Sequence, residues 1–386
     1  MHILILASFY PSDIRPYTGI FFKEQVQALY KYNHQVGVIV PQRIRETLMT
    51  WKRNFPLLPK ITTEMQDFPI YRIHHGWVPR VFPRVCAFFT RYYGLIAFQH
   101  YVKAYGYPDV IHAHNTFYAG FLAQVIREQY QIPTVLTEHS SNFLRGRIFL
   151  PGQYHVLNQT LKNTDRLLVV SHALYQKLEK YTDRIYLTNN VVDVEHFDFM
   201  PPPTSSPFVF ASVGSLIKIK NYPLLIQAFY QLSQSNPNIR LYIGGEGPDK
   251  HKLQKLINHY QLGNSIRLLG RLSRTQVRDL FHQSHVIVSS SLTETFGVTL
   301  IEAMACGRPV IATKSGGPER FVTSQTGILV ANQDVNALKN SMQNMMINYH
   351  KYDYKKIRQY CVENFSEKAV VSDLLGHYHN LIDDRR

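Results

Sequence analysis

Residues 2–7, His-Ile-Leu-Ile-Leu-Ala, are apolar almost without a break, and a polar loop with Pro11, Pro16 and Gly19 follows. A short apolar run bounded by turn residues predicts a strand buried on both faces. Ile20 to Lys31 then reads as a helix and Gln35 to Val40 as a second buried strand. Strand, loop, helix and strand open a βαβ unit, which implies a parallel sheet. The pattern returns as strands at Asp109–His112, Thr134–Thr137 and Asp165–Ser171, with a helix over Ala119–Tyr130. Residues 41–75 follow neither period and stay unassigned.

Near Asn189–Met200 the alternation breaks, and Pro201-Pro202-Pro203-Thr204-Ser205-Ser206-Pro207 has the composition of a linker. A second series predicts strands at Phe208–Val213, Arg240–Ile243, Ile266–Leu268, His285–Ser289, Val310–Ala312 and Gly327–Val330. Helices over Tyr222–Gln234 and Lys250–Tyr260 lie between them. The expected α/β architecture is two doubly wound, Rossmann-like domains, 1–200 and 201–366, facing across a cleft. Ligands of such sheets sit beyond the carboxyl ends of the strands.

The stretch from Ser290 to Gly317, SSLTETFGVTLIEAMACGRPVIATKSGG, carries the most chemistry. Glu294 stands in the loop after a strand, Thr295-Phe296-Gly297-Val298 opens a helix, and Glu302 follows inside it. Free amides at a helix start favour a phosphate, and glycine lets it approach. Carboxylates on either side can accept from sugar hydroxyls, which matches the layout of hexose, diphosphate and ribose in a nucleotide sugar.

The segment resembles the Glu-x7-Glu motif of glycosyltransferase family 4, retaining enzymes of the GT-B fold. The following GRPVIATKSGGPERFV is similar to that family's strand and Gly-Gly-x-Glu turn, in which Glu319 braces a helix start. Val213-Gly214-Ser215-Leu216 to Lys220-Asn221 resembles the loop whose basic pair grips the donor diphosphate. Lys220 matches its lysine, Ser215 stands where many members have arginine, and Lys218 would share its side in an extended loop. A cation there stabilises the charge gained by the leaving nucleoside diphosphate. Gly244-Gly245-Glu246-Gly247-Pro248 is similar to the turn lining the nucleotide pocket. In the first domain, Ile111-His112-Ala113-His114 and Thr137-Glu138-His139-Ser140 resemble strand-end segments of the family, and the resemblance implies that His139 positions the donor sugar. Thr18-Gly19-Ile20 is similar to the glycine loop that contacts the phosphates, and Asn189-Asn190-Val191-Val192-Asp193 to Phe197 to a hinge-side segment.

The resemblance implies His139, Lys220 and Glu294 as catalytic residues. It implies Gly19, Gly214, Ser215, Lys218, Gly245, Glu246, Glu294, Thr295, Phe296, Gly297, Val298 and Glu302 as donor-binding residues. It further implies retention by front-face transfer of a hexose from a UDP- or GDP-linked donor to a sugar or lipid-linked acceptor, as in bacterial polysaccharide or glycolipid synthesis. The last helix, Glu367–Ile382, is expected to cross back onto the first domain, so that 367–386 belong with it. No metal or cofactor is expected: His112 and His114 share a strand face without a third ligand, and no D-x-D follows a strand.

Composition narrows this further. With 386 residues, 45% apolar and 18% charged, the chain can bury two cores. Lys plus Arg number 42 against 27 acids, a net +15 shared evenly by the two halves. Phe68 to Pro108 holds no acid, while Arg72, Arg80, Arg84, Arg91 and Lys103 alternate with aromatics. We expect part of residues 72–103 to rest on an anionic membrane face and admit a lipid-linked acceptor, the alternative being an ordinary helix with one solvated basic face. Cys86, Cys306 and Cys361 form no framework, and no run approaches the ~18 apolar residues of a spanning helix. A cytoplasmic enzyme, peripheral on the inner membrane face and without a secretory leader, is the expectation. A nucleic-acid binder would leave Glu294, Glu302 and the glycine turns unexplained. A nucleotide-sugar epimerase or a phosphorylase of the same fold is the alternative.

Overall fold

The structure is a computed structural model and describes residues 1–13, 18–41, 60–74, 83–146, 149–204 and 206–383. Pro16, residues 42–59, Arg80 with the rest of 75–82, and Ser205 lie outside the described residues. Two compact units form. The first comprises Met1–Val170, Leu174–Val191 and the stretch from Val370 on, and the second Ser171–Ala173 with Val192–Ala369.

The elements of the first unit are β1 (His2–Ala7), α1 (Ile20–Lys31), β2 (Gln35–Val40), β3 (Lys60–Met65), β4 (Pro69–His74), α2 (Pro83–Tyr105), β5 (Val110–His114), α3 (Phe121–Tyr130), β6 (Thr134–Glu138), α4 (Pro151–Asn163), β7 (Arg166–Val169), α5 (His172–Leu178) and β8 (Ile185–Leu187). The sheet runs β3-β4-β2-β1-β5-β6-β7-β8 and is parallel except for β3 against β4. Every residue of β1 is buried, as its unbroken apolar run requires of a central strand covered on both faces. Edge strand β3 instead carries Lys60, Thr62, Thr63 and Glu64, which keep its open edge polar. That mixed pattern is why residues 60–65 show no period from sequence.

The second unit contains β9 (Phe208–Val213), α6 (Tyr222–Ser233), β10 (Ile239–Gly244), α7 (Lys250–His259), β11 (Ile266–Gly270), α8 (Arg274–Gln283), β12 (Val286–Ser289), α9 (Val298–Ala305), β13 (Val310–Thr313), β14 (Gly327–Val330), α10 (Val335–Asn348) and α11 (Tyr354–Phe365). Its sheet is wholly parallel in the order β11-β10-β9-β12-β13-β14. A final helix, α12 (Glu367–Asp383), places Val370, Val371, Leu374, Tyr378 and Leu381 in the first unit's core beside Ile3, Ile5 and Phe22.

The units part at Val191/Val192, not at the proline-rich stretch near 200. Arg358 of α11 donates to the carbonyls of Phe197 and Val194, both at 2.9 Å, and fully buried Arg308 donates to Phe281 O at 2.8 Å and Pro201 O at 3.3 Å. These guanidinium bonds tie 194–201 into the second unit, so composition alone misplaced the division. Among the parallel strands of each sheet the order reverses between β1 and β5 and between β9 and β12. Loops leaving the strands at such a reversal diverge and open a crevice. Among the described residues no helix is long and apolar enough to cross a membrane.

Candidate active site

In the second unit the crevice is shaped first by backbone. Gly214 N–H donates to Gly244 O and Leu216 N–H to Glu246 O, both at 2.9 Å, which zips the loops after β9 and β10 together. A Cβ on Gly245, whose φ is +149°, would lie 1.9 Å from Gly214 O, and one on Gly247 would lie 2.3 Å from Leu216 O. No other residue permits that approach. Beyond Ser215 the chain makes a 3-10 turn, Lys218–Lys220, and leaves it through Asn221 at φ 49°.

Lys220 and Glu294 meet across the β9/β12 reversal as an ion pair, with side chains 24% and 15% exposed. Ser291 Oγ donates to the same carboxylate at 2.8 Å. The loop carrying Glu294 is fixed on all sides. Leu292 N–H donates to Ile219 O at 2.8 Å, Thr313 Oγ1 to Ser291 O at 2.6 Å, Asn332 Nδ2 to Leu292 O at 2.9 Å, and Glu294 N–H to Ser315 O at 3.0 Å. Phe296 is then buried against Phe321 and Phe365, with centroids 5.4 and 5.8 Å apart. Gly297, at φ +104°, starts α9 with no side-chain cap. A Cβ on Gly317 would fall 2.5 Å from the Phe296 backbone. No side chain caps the start of α9, an arrangement that suits a phosphate. Glu302 stands half-buried as the fifth residue of α9, more than one turn beyond Glu294.

The first unit builds its crevice from buried polar side chains. His112 and His114 project from one face of β5, with ring centroids 4.5 Å apart. His112 is satisfied at both nitrogens, by Tyr378 Oη at 2.6 Å and Thr137 Oγ1 at 2.7 Å. His114 Nδ1 lies 3.1 Å from His139 Nε2. Glu138, 1% exposed, accepts four hydrogen bonds, from Thr116 N–H (2.8 Å) and Oγ1 (2.6 Å), His139 N–H (2.9 Å) and Ser140 N–H (2.7 Å). Burial pushes its carboxyl up, and those four bonds oppose the shift. Burial also pushes His139 down to about 3, with the charge of His112 a lesser cause, and holds His112 and His114 well below the usual imidazole range. All three imidazoles are therefore neutral near pH 7. A cavity of about 460 Å³ opens beside His139, walled by Phe9, Phe21, Phe117, Tyr118 and Phe149. Among the described residues no group of three or more His, Cys, Asp or Glu could hold a metal ion.

Residues 19–196 match the family described as "Glycosyltransferase Family 4", and residues 194–366 match "Glycosyl transferases group 1". The chain belongs to the group 1, family 4 glycosyltransferases. Among family relatives, a component of the human phosphatidylinositol N-acetylglucosaminyltransferase is 31% identical over 217 residues, which cover 54% of this chain and 44% of that protein. The fission-yeast (Schizosaccharomyces pombe) gpi3 component of the enzyme of that name is 25% identical, and the alignment spans 65% of this chain and 55% of that one. The chain thus spans about half the length of these two relatives. The putative teichuronic acid biosynthesis glycosyltransferase TuaC of Bacillus subtilis is 26% identical over 352 residues, 88% of this chain and 87% of that one. Sucrose-phosphate synthase from Thermosynechococcus elongatus superposes with a TM-score of 0.78 at 21% identity, over the full length of both chains. The fold is GT-B, with two Rossmann-like domains.

The family motif residues fall at distinct places in the second unit. Gly214, Ser215, Lys220, Gly245, Glu294, Thr295, Phe296, Gly297, Val298 and Glu302 lie on the loops and helix start around the β9/β12 reversal. Glu246 spends its carboxylate on Lys250 at 2.7 Å, an exposed pair one turn apart. Lys218 departs from expectation, because the loop is a 3-10 turn and not extended. Residues two apart on such a turn point to different sides, and Lys218 is exposed while Lys220 turns in to Glu294. In the first unit Gly19, at φ +76°, starts α1, and His139 borders the cavity. Glu319 braces the Gly316 turn, both carboxylate oxygens accepting its N–H at 2.9 Å. Sequence reasoning gave no role to Glu138, Asn115, Tyr118, Ser291, Thr313 or Asn332. Asn115 (φ 70°) and Tyr118 (φ 67°, ψ −75°) are held in unfavourable backbone regions beside the cavity, a feature sequence does not show.

Proposed function

We propose that the chain moves a hexose from a nucleoside-diphosphate sugar to a hydroxyl acceptor, with retention at the anomeric carbon and without a metal. The observation that carries this reading is the Lys220–Glu294 pair at the strand-order reversal of the second unit, beside an uncapped glycine-opened helix. The open amides of α9 and Lys220 receive the diphosphate, Glu294 accepts from sugar hydroxyls, and Glu302 accepts from the ribose. As the bond from the anomeric carbon to the phosphate oxygen breaks, Lys220 stabilises the charge gained by the leaving nucleoside diphosphate. The acceptor oxygen bonds to the same face, and its proton passes to the departing phosphate. His139 of the first unit, held neutral by burial, is assigned no proton transfer in this reading. Proton-coupled anomeric splittings of the product formed from an α-linked donor test this directly. An α-linked product is expected; a β-linked product contradicts retention, and an altered donor sugar with no acceptor consumed contradicts transfer.

A lipid-linked acceptor is favoured by the two faces of α2. Cys86, Ala87 and Thr90 line the cavity beside His139, while Phe88 (62%) and Tyr92 (53%) are exposed on the outer side. Arg84 and Arg91 are exposed among them, and no acid occurs from Phe68 to Pro108. Aromatics interleaved with arginines suit an anionic bilayer surface. Sedimentation with vesicles of phosphatidylcholine and increasing phosphatidylglycerol should show binding that rises with the anionic fraction. Binding independent of that fraction ends the membrane proposal.

A further inference from the structure

The cavity beside His139 belongs to the first unit, its described lining running from Ser8 to Val156. Phe9, Phe21, Phe117, Phe121 and Phe149 give it ring surfaces, and the amides of Asn115, Asn142 and Gln153 stand among them. Each amide spends its oxygen inside the fold. Asn115 Oδ1 accepts at 3.3 Å from the His139 N–H, which it shares with Glu138. Asn142 Oδ1 accepts from the Arg145 guanidinium at 2.8 Å, and Gln153 Oε1 from the Leu150 N–H at 3.0 Å. Those three partners can only donate, so the oxygen of each amide is fixed and its NH2 group is the end left over. No acceptor for these NH2 groups is found among the described residues. One wall is also held in a costly backbone shape, with Asn115 at φ 70° and Tyr118 at φ 67°, ψ −75°. Ser8 Oγ, 3.0 Å from His114 O and 2.5 Å from Phe117 O, and Glu138, through Thr116, keep that turn in place before any ligand arrives.

Rings and amide donors together select the occupant. A hydrocarbon chain suits the rings but would strip water from three donors and return no acceptor. A phosphate or carboxylate would satisfy the donors but set its charge against ring faces that are themselves electronegative. A pyranose meets both, because its C–H face lies on a ring while hydroxyl oxygens at its edge accept from the amides. We infer that the first unit's cavity binds an uncharged glycosyl unit, held by C–H contact with the phenylalanines and by hydrogen bonds from the NH2 groups of Asn115, Asn142 and Gln153. That this unit belongs to the acceptor rests on the proposed function; the binding itself does not. A lipid-linked acceptor then brings its sugar to the cavity side of α2 and leaves its hydrocarbon on the outer side, where Phe88 and Tyr92 are exposed.

The test is photolabelling of the full chain with octyl glycosides of glucose, galactose and N-acetylglucosamine, each carrying a diazirine on the sugar and kept below micellar concentration. Mass spectrometry of the labelled peptides should place the label of at least one within 115–121 or 138–156. The same glycoside without the diazirine should suppress it at concentrations where octanol and octyl phosphate do not. Asn142→Ala and Gln153→Met should each weaken that suppression about 2- to 12-fold, the loss of one neutral hydrogen bond. Label confined to other segments overturns the inference, as does suppression by octanol or octyl phosphate equal to that by the glycoside. Both readings come from the wild-type chain, so they decide even if the variants do not fold; unchanged suppression in two folded variants overturns the role of the amides. If the cavity is labelled as stated while UDP, GDP and ADP all fail to bind, the functional reading fails and the sugar site stands. If a nucleotide binds and no glycoside labels the cavity, the sugar site fails and that reading stands.

Discussion

The two units shape their strand-end crevices with opposite materials. In the second, side chains are missing where backbones must touch: Gly245 against Gly214, Gly247 against Leu216 and Gly317 against Phe296. One ion pair, Lys220–Glu294, joins the two loops at the reversal. In the first, polar side chains are buried and kept neutral or saturated, as with His112, His114, His139 and Glu138. Steric demands of the first kind sit in short glycine-rich strings. A buried polar network instead depends on partners far along the chain, such as Tyr378 to His112, 266 residues apart.

Acid should separate the units most. An imidazole that is ordinarily half-protonated near pH 6.5 but stays neutral in the fold makes the unfolded chain bind more protons below that pH. Its stabilising contribution is therefore full above pH 6.5 and lost as pH falls toward the depressed folded value. At pH 5.5 the loss is on the order of 1 kcal/mol for each such group. The first unit has three deeply buried ones, His112, His114 and His139, and the second has His285, lowered to about 4 by burial. Hydrogen exchange resolved by unit should show the first losing more stability than the second between pH 7.5 and 5.5. The second, with His285 alone of these, should lose on the order of 1 kcal/mol. Equal losses would erase the contrast.

Gly245→Ala should strike the other unit. A methyl 1.9 Å from Gly214 O at φ +149° cannot be relieved by a side chain, and roughly 3 kcal/mol of second-unit stability should go. Urea unfolding followed by exchange checks this, and a change below ~0.5 kcal/mol would mean the loops are not zipped as described. Lys220→Met leaves Glu294 with Ser291 but no cation, at roughly 2 kcal/mol given partial exposure. The smallest expected effect is Tyr378→Phe, which removes the hydroxyl from His112 at ~1 kcal/mol and should leave the second unit's exchange unchanged.

What could be read from sequence follows the same division. Strands β1, β2, β9 and β14 are legible because their apolar runs are central or flanked by turn residues, whereas β3 alternates exposed polar residues and escapes. Glu294 and Glu302 stand out by their spacing around Gly297. Lys218 was misjudged because a 3-10 turn and an extended loop have the same composition. Glu138 lay within a recognised string, yet its four donors come partly from Thr116, and nothing local announces that contact. The unit boundary was displaced for a similar reason, since the guanidinium bonds of Arg308 and Arg358 to 194–201 join residues over a hundred positions apart.

Calorimetric titration of UDP, GDP and ADP into the native chain and into Glu302→Ala most directly tests whether the second unit is the donor site. One nucleotide should bind, and removing a charged hydrogen-bond acceptor should weaken it about 10- to 150-fold. Equal affinity in the two proteins would contradict the placement of the nucleotide along α9.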